Sequence, residues 1–343
     1  MDVEEEAAMT DDGTTLAGRG EAGLLGDVLA AYRDLPTDGV LVGPGDDTAL
    51  LAVRRGAVLA TTDTVVRDRD WRDEWSSAQD VGIKVVTQNL ADLAAMGGRG
   101  TGLLVALAAP PTLPMDWARG LSEGIATAAG MAGVPVLGGD VSSTASDAVM
   151  VAVTALGELA DGVQEPVLRG GVRPGDVLAV SGPLGRSGAG LALLEGGASV
   201  GRDEQERRLL DHHRRPVVDL EQGPVAARAG ATAMIDVSDG LVRDSDRVAR
   251  AGGVTLVLDR GALERLAAQL VPALPASGAL RQVLAGGEEH ELLATFPAAS
   301  AVPAGWTVLG QAVAADGADG PPGVRLDGSR LDPATGGWDH FGG

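Results

Sequence analysis

The sequence predicts a two-domain α/β or α+β protein, and three observations carry that prediction. The chain has 343 residues, against roughly 100–200 for a typical domain. Hydrophobic side chains make up 45% and charged ones 22%, ordinary usage for a chain that buries a core. Short apolar runs alternate with stretches of helical periodicity in both halves, separated by a Gly-, Pro- and Arg-bearing break over residues 158–175. Aromatics are only 2% of the chain, so the core must be mostly Ala, Val and Leu.

The elements follow in order. Residues 1–20 are acidic and rich in Gly and Thr, and read as a disordered tail. An N-terminal domain is placed over 21–162 and a C-terminal α+β domain over 163–343. Residues 24–32 read as a helix, and 48–53 and 57–66 as strands parted by the turn Arg54-Arg55-Gly56. The clearest helix covers 79–96, where Ile83, Val86, Leu90 and Leu93 recur at helical spacing and leave Lys84, Gln88 and Asp92 on the other face. A strand over 101–108, a helix over 116–132, a short buried strand over 134–137 and a strand over 148–157 complete this half. The second half restarts with a strand at 177–180. It continues with helices at 188–195, 204–214 and 241–251 and a strand at 233–237. Residues 303–343 are Gly-rich and predict short strands at most, and no repeat of solenoid period is present.

Composition excludes several functions. With 27 basic and 48 acidic side chains the formal charge is −21, so the chain repels nucleic acid and anionic membranes. It has no Cys, which rules out disulfides, thiolate zinc sites, Fe–S clusters and cysteine nucleophiles. The acidic start lacks a basic n-region and an apolar h-region, and the longest uncharged apolar stretch, 102–115, is broken by Pro110, Pro111 and Pro114. A soluble, cytoplasmic protein is expected. The single lysine, Lys84, is followed by Val85, which closes the P-loop route to nucleotide binding. The four histidines (212, 213, 290 and 340) form no His-Glu-x-x-His site, and neither a Gly-x-Ser-x-Gly elbow nor a protein-kinase catalytic loop occurs. The glycine loop Ser181–Gly190 follows a strand and opens a helix. It resembles a dinucleotide turn but lacks that spacing, and reads rather as a tight strand-to-helix turn.

Aspartates placed where strands end are the chemical signal. They are Asp46 in Gly45-Asp46-Asp47, Asp63 in Thr61-Thr62-Asp63-Thr64, Asp140 in Gly138-Gly139-Asp140, and Asp236 and Asp239 in Ile235-Asp236-Val237-Ser238-Asp239-Gly240, with Asp92 on the polar face of the long helix. Taken singly, each also fits a turn or an N-cap, and Asp239 could cap the helix that starts at Leu241. Together they suit Mg²⁺ or another hard divalent ion, because a partly buried carboxylate is costly without a partner and ammonium partners are scarce here. Several such ions would let an acidic protein hold a polyphosphate.

Seven motifs occur in an order that resembles the thiamine-monophosphate kinases, members of the aminoimidazole-ribonucleotide synthetase-like superfamily. They are Gly43-Pro-Gly-Asp-Asp47, Thr61-Thr-Asp-Thr64, Asn89-Leu-Ala-Asp-Leu-Ala-Ala-Met-Gly97, Gly138-Gly-Asp140, Leu168-Arg-Gly-Gly-Val-Arg-Pro-Gly-Asp176, Ile235-Asp-Val-Ser-Asp-Gly-Leu241 and Gly286-Gly-Glu-Glu-His-Glu-Leu292. The resemblance implies a mixed-sheet N-terminal domain that forms a homodimer, an α+β C-terminal domain, and ATP-dependent phosphorylation of thiamine monophosphate to thiamine diphosphate with several Mg²⁺ ions. By motif, Asp63, Asp92 and Asp236 would be catalytic. Asp46, Asp63, Asp92, Asp140, Asp236 and Asp239 would hold metal, helped by Thr61 and Thr62. Gly139, Asp140, Arg169 and Ser238 would contact ATP, and Glu288 and Trp338 the thiamine part. Two departures stand out. Asp70 occupies the place where the family usually carries a His beside an aromatic, and Glu288-Glu289-His290 replaces the more usual Glu-Asp-Tyr or Glu-Asp-His. Rival readings are another ATP-using enzyme of the superfamily and a non-catalytic nucleotide- or thiamine-phosphate-binding protein. The absence of Cys disfavours the superfamily members that use a reactive thiol.

Overall fold

A computed structural model describes residues 15–44, 48–315, 320–334 and 337. In chain order the elements are α1 (Leu16–Ala31), β1 (Val40–Val42), β2 (Leu50–Leu51), β3 (Leu59–Val66), α2 (Ala78–Ala95), β4 (Gly98–Ala109), α3 (Met115–Ala132), β5 (Val136–Ser143) and β6 (Met150–Leu159). There follow β7 (Val177–Val180), α4 (Arg186–Glu195), α5 (Glu204–Arg214), α6 (Gln222–Arg228), β8 (Ala233–Asp236), α7 (Leu241–Gly252), β9 (Val254–Leu258), α8 (Arg260–Ala268) and α9 (Ala276–Ala285). The chain closes with β10 (Leu292–Phe296), β11 (Thr307–Ala314), β12 (Gly323–Leu326) and β13 (Ser329–Arg330). Mixed sheets with helices bear out the α+β expectation. No helix among the described residues is long and apolar enough to cross a membrane.

The chain divides into two compact units. The first takes in the chain up to Ala52 with Thr64–Val85 and Leu103–Val153, the second Val53–Asp63, Val86–Gly102 and the chain from Thr154 onward. Elements β3, α2, β4 and β6 each contribute residues to both.

In the first unit, α1 packs on α3, burying Leu24 against Met115 and Ala118. Strands β4 and β5 pair in parallel from Leu103↔Val136 to Ala109↔Ser143, within a sheet ordered β3-β6-β4-β5. Gly139 is required by this pairing: a Cβ there would stand 1.9 Å from the Val105 carbonyl oxygen.

The second unit holds a seven-stranded sheet ordered β13-β12-β9-β11-β7-β10-β8, antiparallel except for β12 beside β9. Its core includes Ala179, Ala226, Met234, Leu292, Ala294, Phe296 and Trp306. Phe296 meets Trp306 edge-on, with ring centroids 5.5 Å apart, the favourable approach for two π-systems.

Several expectations change. Helix α1 begins at Leu16, inside the stretch read as a tail, with Thr15 Oγ1 accepting from the Gly18 amide and a non-helical Gly20 within it. The strand expected over 48–53 shrinks to Leu50–Leu51. The strand expected over 134–137 instead runs to Ser143, so Asp140 lies within β5, exposed, and does not close the strand. The polar face assigned to α2 is not solvated, and Lys84 is 2% exposed. Residues 303–343, read as short strands at most, contain the eight-residue β11, which pairs with both β7 and β9. Gly310 and a register shift beside it broke the alternation that would have marked this strand.

Candidate active site

Two short spacings build an acid cluster in the second unit. Thr61 and Asp63 are two apart on β3 and so share one strand face. Asn89 and Asp92 are three apart on α2 and share one helix face. The two faces meet: Thr61 Oγ1 donates to Asp92 Oδ2 at 2.7 Å, and the Asp63 amide donates to Asn89 Oδ1 at 3.1 Å. Asp236 ends the wholly buried strand β8 and is itself 4% exposed. Its Oδ2 lies 3.1 Å from His290 Nδ1. His290 Nε2 is buried and has no hydrogen-bond partner among the described residues.

The electrostatics are those of a site short of positive charge. Burial pushes Asp92 up to about 6, and the Asp236 charge adds to the shift, against the pull of the Thr61 hydroxyl. Burial likewise raises Asp63. The His290 charge opposes that shift, and the Asp236 and Asp239 charges reinforce it. Burial alone would lower His290, but the hydrogen bond and charge of Asp236 outweigh it and the net shift is upward. Asp63 and Asp92 therefore each favour a bound proton or cation.

The loop from Asp236 into α7 is held by a residue that the sequence reading passed over. The Asp244 Oδ2 accepts from the amides of Ser238, Asp239 and Gly240 at 3.1, 3.0 and 3.1 Å. Burial and the Asp236 charge push Asp244 up to about 7, against the Arg247 guanidinium on its other oxygen. Gly240, at φ 114°, turns the chain where a Cβ would stand 2.9 Å from the Ala285 carbonyl oxygen. Asp239 does not cap α7. It pairs with Arg247, and Gly240 takes the N-cap position. The segment that precedes β10 is irregular: the amides of Glu288 and His290 donate to the carbonyls of Ser238 and Val237, with both residues in the left-handed region (φ 59° and 55°).

The sequence-predicted residues divide accordingly. Thr61, Asp63, Asp92, Asp236, Ser238, Asp239, Arg169 and Glu288 all belong to the second unit, the first four and Asp239 by direct bonds or mutual electrostatic influence. Arg169 is exposed on a single turn of 3₁₀ helix. Thr62 is exposed and accepts from the Thr154 hydroxyl at 3.1 Å. Gly139, Asp140 and Asp70 belong to the first unit. Asp140 accepts from Ser142 Oγ at 2.9 Å. Asp70 Oδ2 accepts the Val66 amide at 2.7 Å, which closes the turn after β3. Asp46 and Trp338 lie outside the described residues. Among the described residues no group of three His, Asp or Glu side chains is set to hold one metal ion. Asn89, Asp244, Arg247 and His290 are the site's residues that sequence reasoning missed. The arginines four and eight residues after Asp239, one and about two helical turns on, were the available signal for its partners.

Comparison with known proteins agrees with this architecture. The chain matches the AIR synthase related protein N-terminal domain over residues 45–159 and the corresponding C-terminal domain over 173–317. A thiamine-monophosphate kinase of Mycobacterium tuberculosis is 39% identical over 340 residues, covering 98% of this chain and 96% of that one. The crystal structure of thiamine-monophosphate kinase from Stenotrophomonas maltophilia K279a superposes with a TM-score of 0.75 at 28% identity, over 90% of this chain and 96% of that chain. AaThiL complexed with AMPPCP and TMP matches with a TM-score of 0.69 at 26% identity, over 94% of this chain and 97% of that one. With both family domains in sequence order and close relatives over nearly its full length, the chain belongs to the AIR synthase related proteins and, within them, to the thiamine-monophosphate kinase family.

Proposed function

We propose that this protein transfers the terminal phosphoryl group of ATP to thiamine monophosphate, giving thiamine diphosphate. The observation that carries the reading is the grouping of Asp63, Asp92 and Asp236 in one unit, two of them pushed upward by burial and by neighbouring negative charge, in a chain whose relatives are thiamine-monophosphate kinases. The donor set fits Mg²⁺: hard carboxylate oxygens, with a hydroxyl beside them, in a place where a cation would relieve both the burial cost and the mutual repulsion. Asp63, Asp92 and Asp236 would hold it, with Thr61 and Thr62, Asp46, Asp140 and Asp239 as further ligands. Such ions, when bound, neutralise charge on the phosphates.

The protein's own groups do the rest. Thr61 fixes the orientation of Asp92, Asn89 fixes the strand that carries Asp63, and Asp244 shapes the loop that carries Ser238 and Asp239. Ligation by Asp239 means exchanging its arginine partner for the metal. Gly139, Arg169 and Ser238 are assigned to ATP, Arg169 offering a planar fork of donors. Glu288, Asp70 and Trp338 are assigned to the thiamine end. The acceptor is a phosphate with a second ionisation near pH ~6, so it arrives largely deprotonated and needs no general base. Direct in-line transfer, without a phospho-enzyme, is the proposed route. A homodimer and a cytoplasmic location complete the proposal.

The test is to incubate purified protein with ATP, Mg²⁺ and thiamine monophosphate and to separate the products. Thiamine diphosphate formed in step with ADP supports the reading. ATP bound tightly with no thiamine diphosphate formed would leave a binding protein in its place.

A further inference from the structure

We propose that His213 is a positioning residue for the thiamine end of the site, acting through Glu288. The inference rests on the assignment of Glu288 to the substrate and extends it to a buried polar network outside the acid cluster.

The segment from Glu288 to Glu291 sends each side chain to a different destination. Glu289 is fully buried. Its Oε1 accepts the Ser187 amide at 2.6 Å, and its Oε2 lies 3.1 Å from His212 Nε2. His290 goes to Asp236. Glu291 accepts from Ser181 Oγ at 2.7 Å and from Arg186 Nη2 at 3.1 Å. Glu288 is the exception, with a side chain 34% exposed where those of Glu289, His290 and Glu291 are at most 9% exposed. It alone among the four can meet a ligand from solution. One Glu288 oxygen lies 3.4 Å from His213 Nδ1, and the same nitrogen is 3.0 Å from Ser187 Oγ. A carboxylate oxygen beside Nδ1 assigns the ring proton to that nitrogen, which then donates toward both oxygens.

The platform behind this contact is stiff. His212 and His213 sit in the last turn of α5, both buried. Helices α4 and α5 touch backbone to backbone, since a Cβ at Gly190 would stand 2.2 Å from the Leu209 carbonyl oxygen and 2.8 Å from His213 Cβ. Glu288 itself has φ 59°, a conformation that persists in a non-glycine residue only when its surroundings over-determine it. His213 supplies one of those constraints at the carboxylate end, and the Ser238 carbonyl supplies another at the amide end. The network is not a hydrolytic triad. Serine and acid meet the same imidazole nitrogen, and Ser187 is 1% exposed, so no acyl group can reach it.

Steady-state kinetics and calorimetric binding test the proposal. His213→Ala is expected to raise KM and Kd for thiamine monophosphate about tenfold, while KM for ATP and kcat each change by less than about twofold. His213→Asn, whose amide places a donor near the position of Nδ1, is expected to recover most of that loss. In the double variant with Glu288→Gln, the thiamine monophosphate KM is expected to match that of Glu288→Gln alone, because both substitutions break one path. Equal losses for both substrates, a His213→Asn as impaired as His213→Ala, or multiplying effects in the double variant would each overturn it. Failure of the substrate assignment itself is seen separately, in unsubstituted protein that forms no thiamine diphosphate, and removes both readings together.

Discussion

Replacing Asp92 by Asn should make the metal-free protein more stable and the Mg²⁺-supplied protein inactive. Burial and the Asp236 charge move Asp92 from 3.8 up to about 6, and a shift of that size favours the neutral group by roughly 3 kcal/mol. A carboxylate raised in the folded state stabilises the fold at low pH, and that contribution is lost as pH climbs from its unfolded value through its folded one. Between pH 3.8 and about 6 the folded chain therefore binds the extra proton, and above about 6 the full cost stands. Asn keeps the shape and an acceptor for the Thr61 hydroxyl while removing the charge. After allowance for its neighbours relaxing, a gain of about 1–2 kcal/mol near pH ~7.5 is expected, falling to roughly half near pH ~5. Urea unfolding in the presence of a chelator at the two pH values measures it. Adding Mg²⁺ at the higher pH should then stabilise the unsubstituted protein and leave the variant unmoved. A variant less stable than its parent by the same amount at both pH values would refute the reasoning, because a lost contact, not a relieved charge, would then govern the site.

Other substitutions probe the frame around the acids. Gly139→Ala should cost about 2–3 kcal/mol or more, since its methyl would collide with the Val105 carbonyl in the β4–β5 pair; unfolding curves give the number. Asp244→Ala should cost about 3–5 kcal/mol by leaving three loop amides without their acceptor and Arg247 with Asp239 alone. It should also lower kcat more than a remote substitution of equal cost does. Phe296→Ala should cost about 3–5 kcal/mol and alter the emission of Trp306, which loses its edge-on partner.

The acids could be read from the sequence because they obey local geometry. A Thr-x-Asp on a strand and an Asn-x-x-Asp on a helix each put two side chains on one face, whatever the rest of the chain does. The strand over 177–180 and the helix over 204–214 were legible for the same reason. What escaped was tertiary. The three amides gripped by Asp244 come together only once the loop is closed, and no spacing rule marks them. The stripe of Lys84, Gln88 and Asp92 sets α2's polar face apart in the sequence, yet the helix is covered nearly all round. Asp140 looked like a strand end because Gly-Gly-Asp is turn chemistry, whereas the glycine there answers a close backbone approach inside a parallel pair. Strand β9, with the continuous run Val254-Thr-Leu-Val-Leu258, is apolar on both sides, a pattern that does not separate a buried strand from a buried helix.

The distribution of arginine argues that the acid cluster is left short of positive charge for a purpose. Elsewhere in the same unit, arginine accompanies the acids: Arg247 with Asp239 and Asp244, Arg250 with Asp246, Arg186 with Glu291, Arg202 with Glu206. Among the described residues, Asp63 and Asp92 have no such partner. Their neighbours are Gln88, Asn89, Thr61 and the His290 charge. A chain this rich in arginine could have placed a guanidinium between them and gained stability, since a half-paired buried carboxylate is the costlier arrangement. A resident arginine, however, would occupy the same oxygens that a divalent ion needs, and it would have to be displaced first, as at Asp239. Leaving these acids short of charge keeps the fold weaker without metal and makes the affinity for an incoming cation larger by the same free energy. Raising pH through about 6 should therefore tighten metal binding at Asp92 while it loosens the metal-free fold.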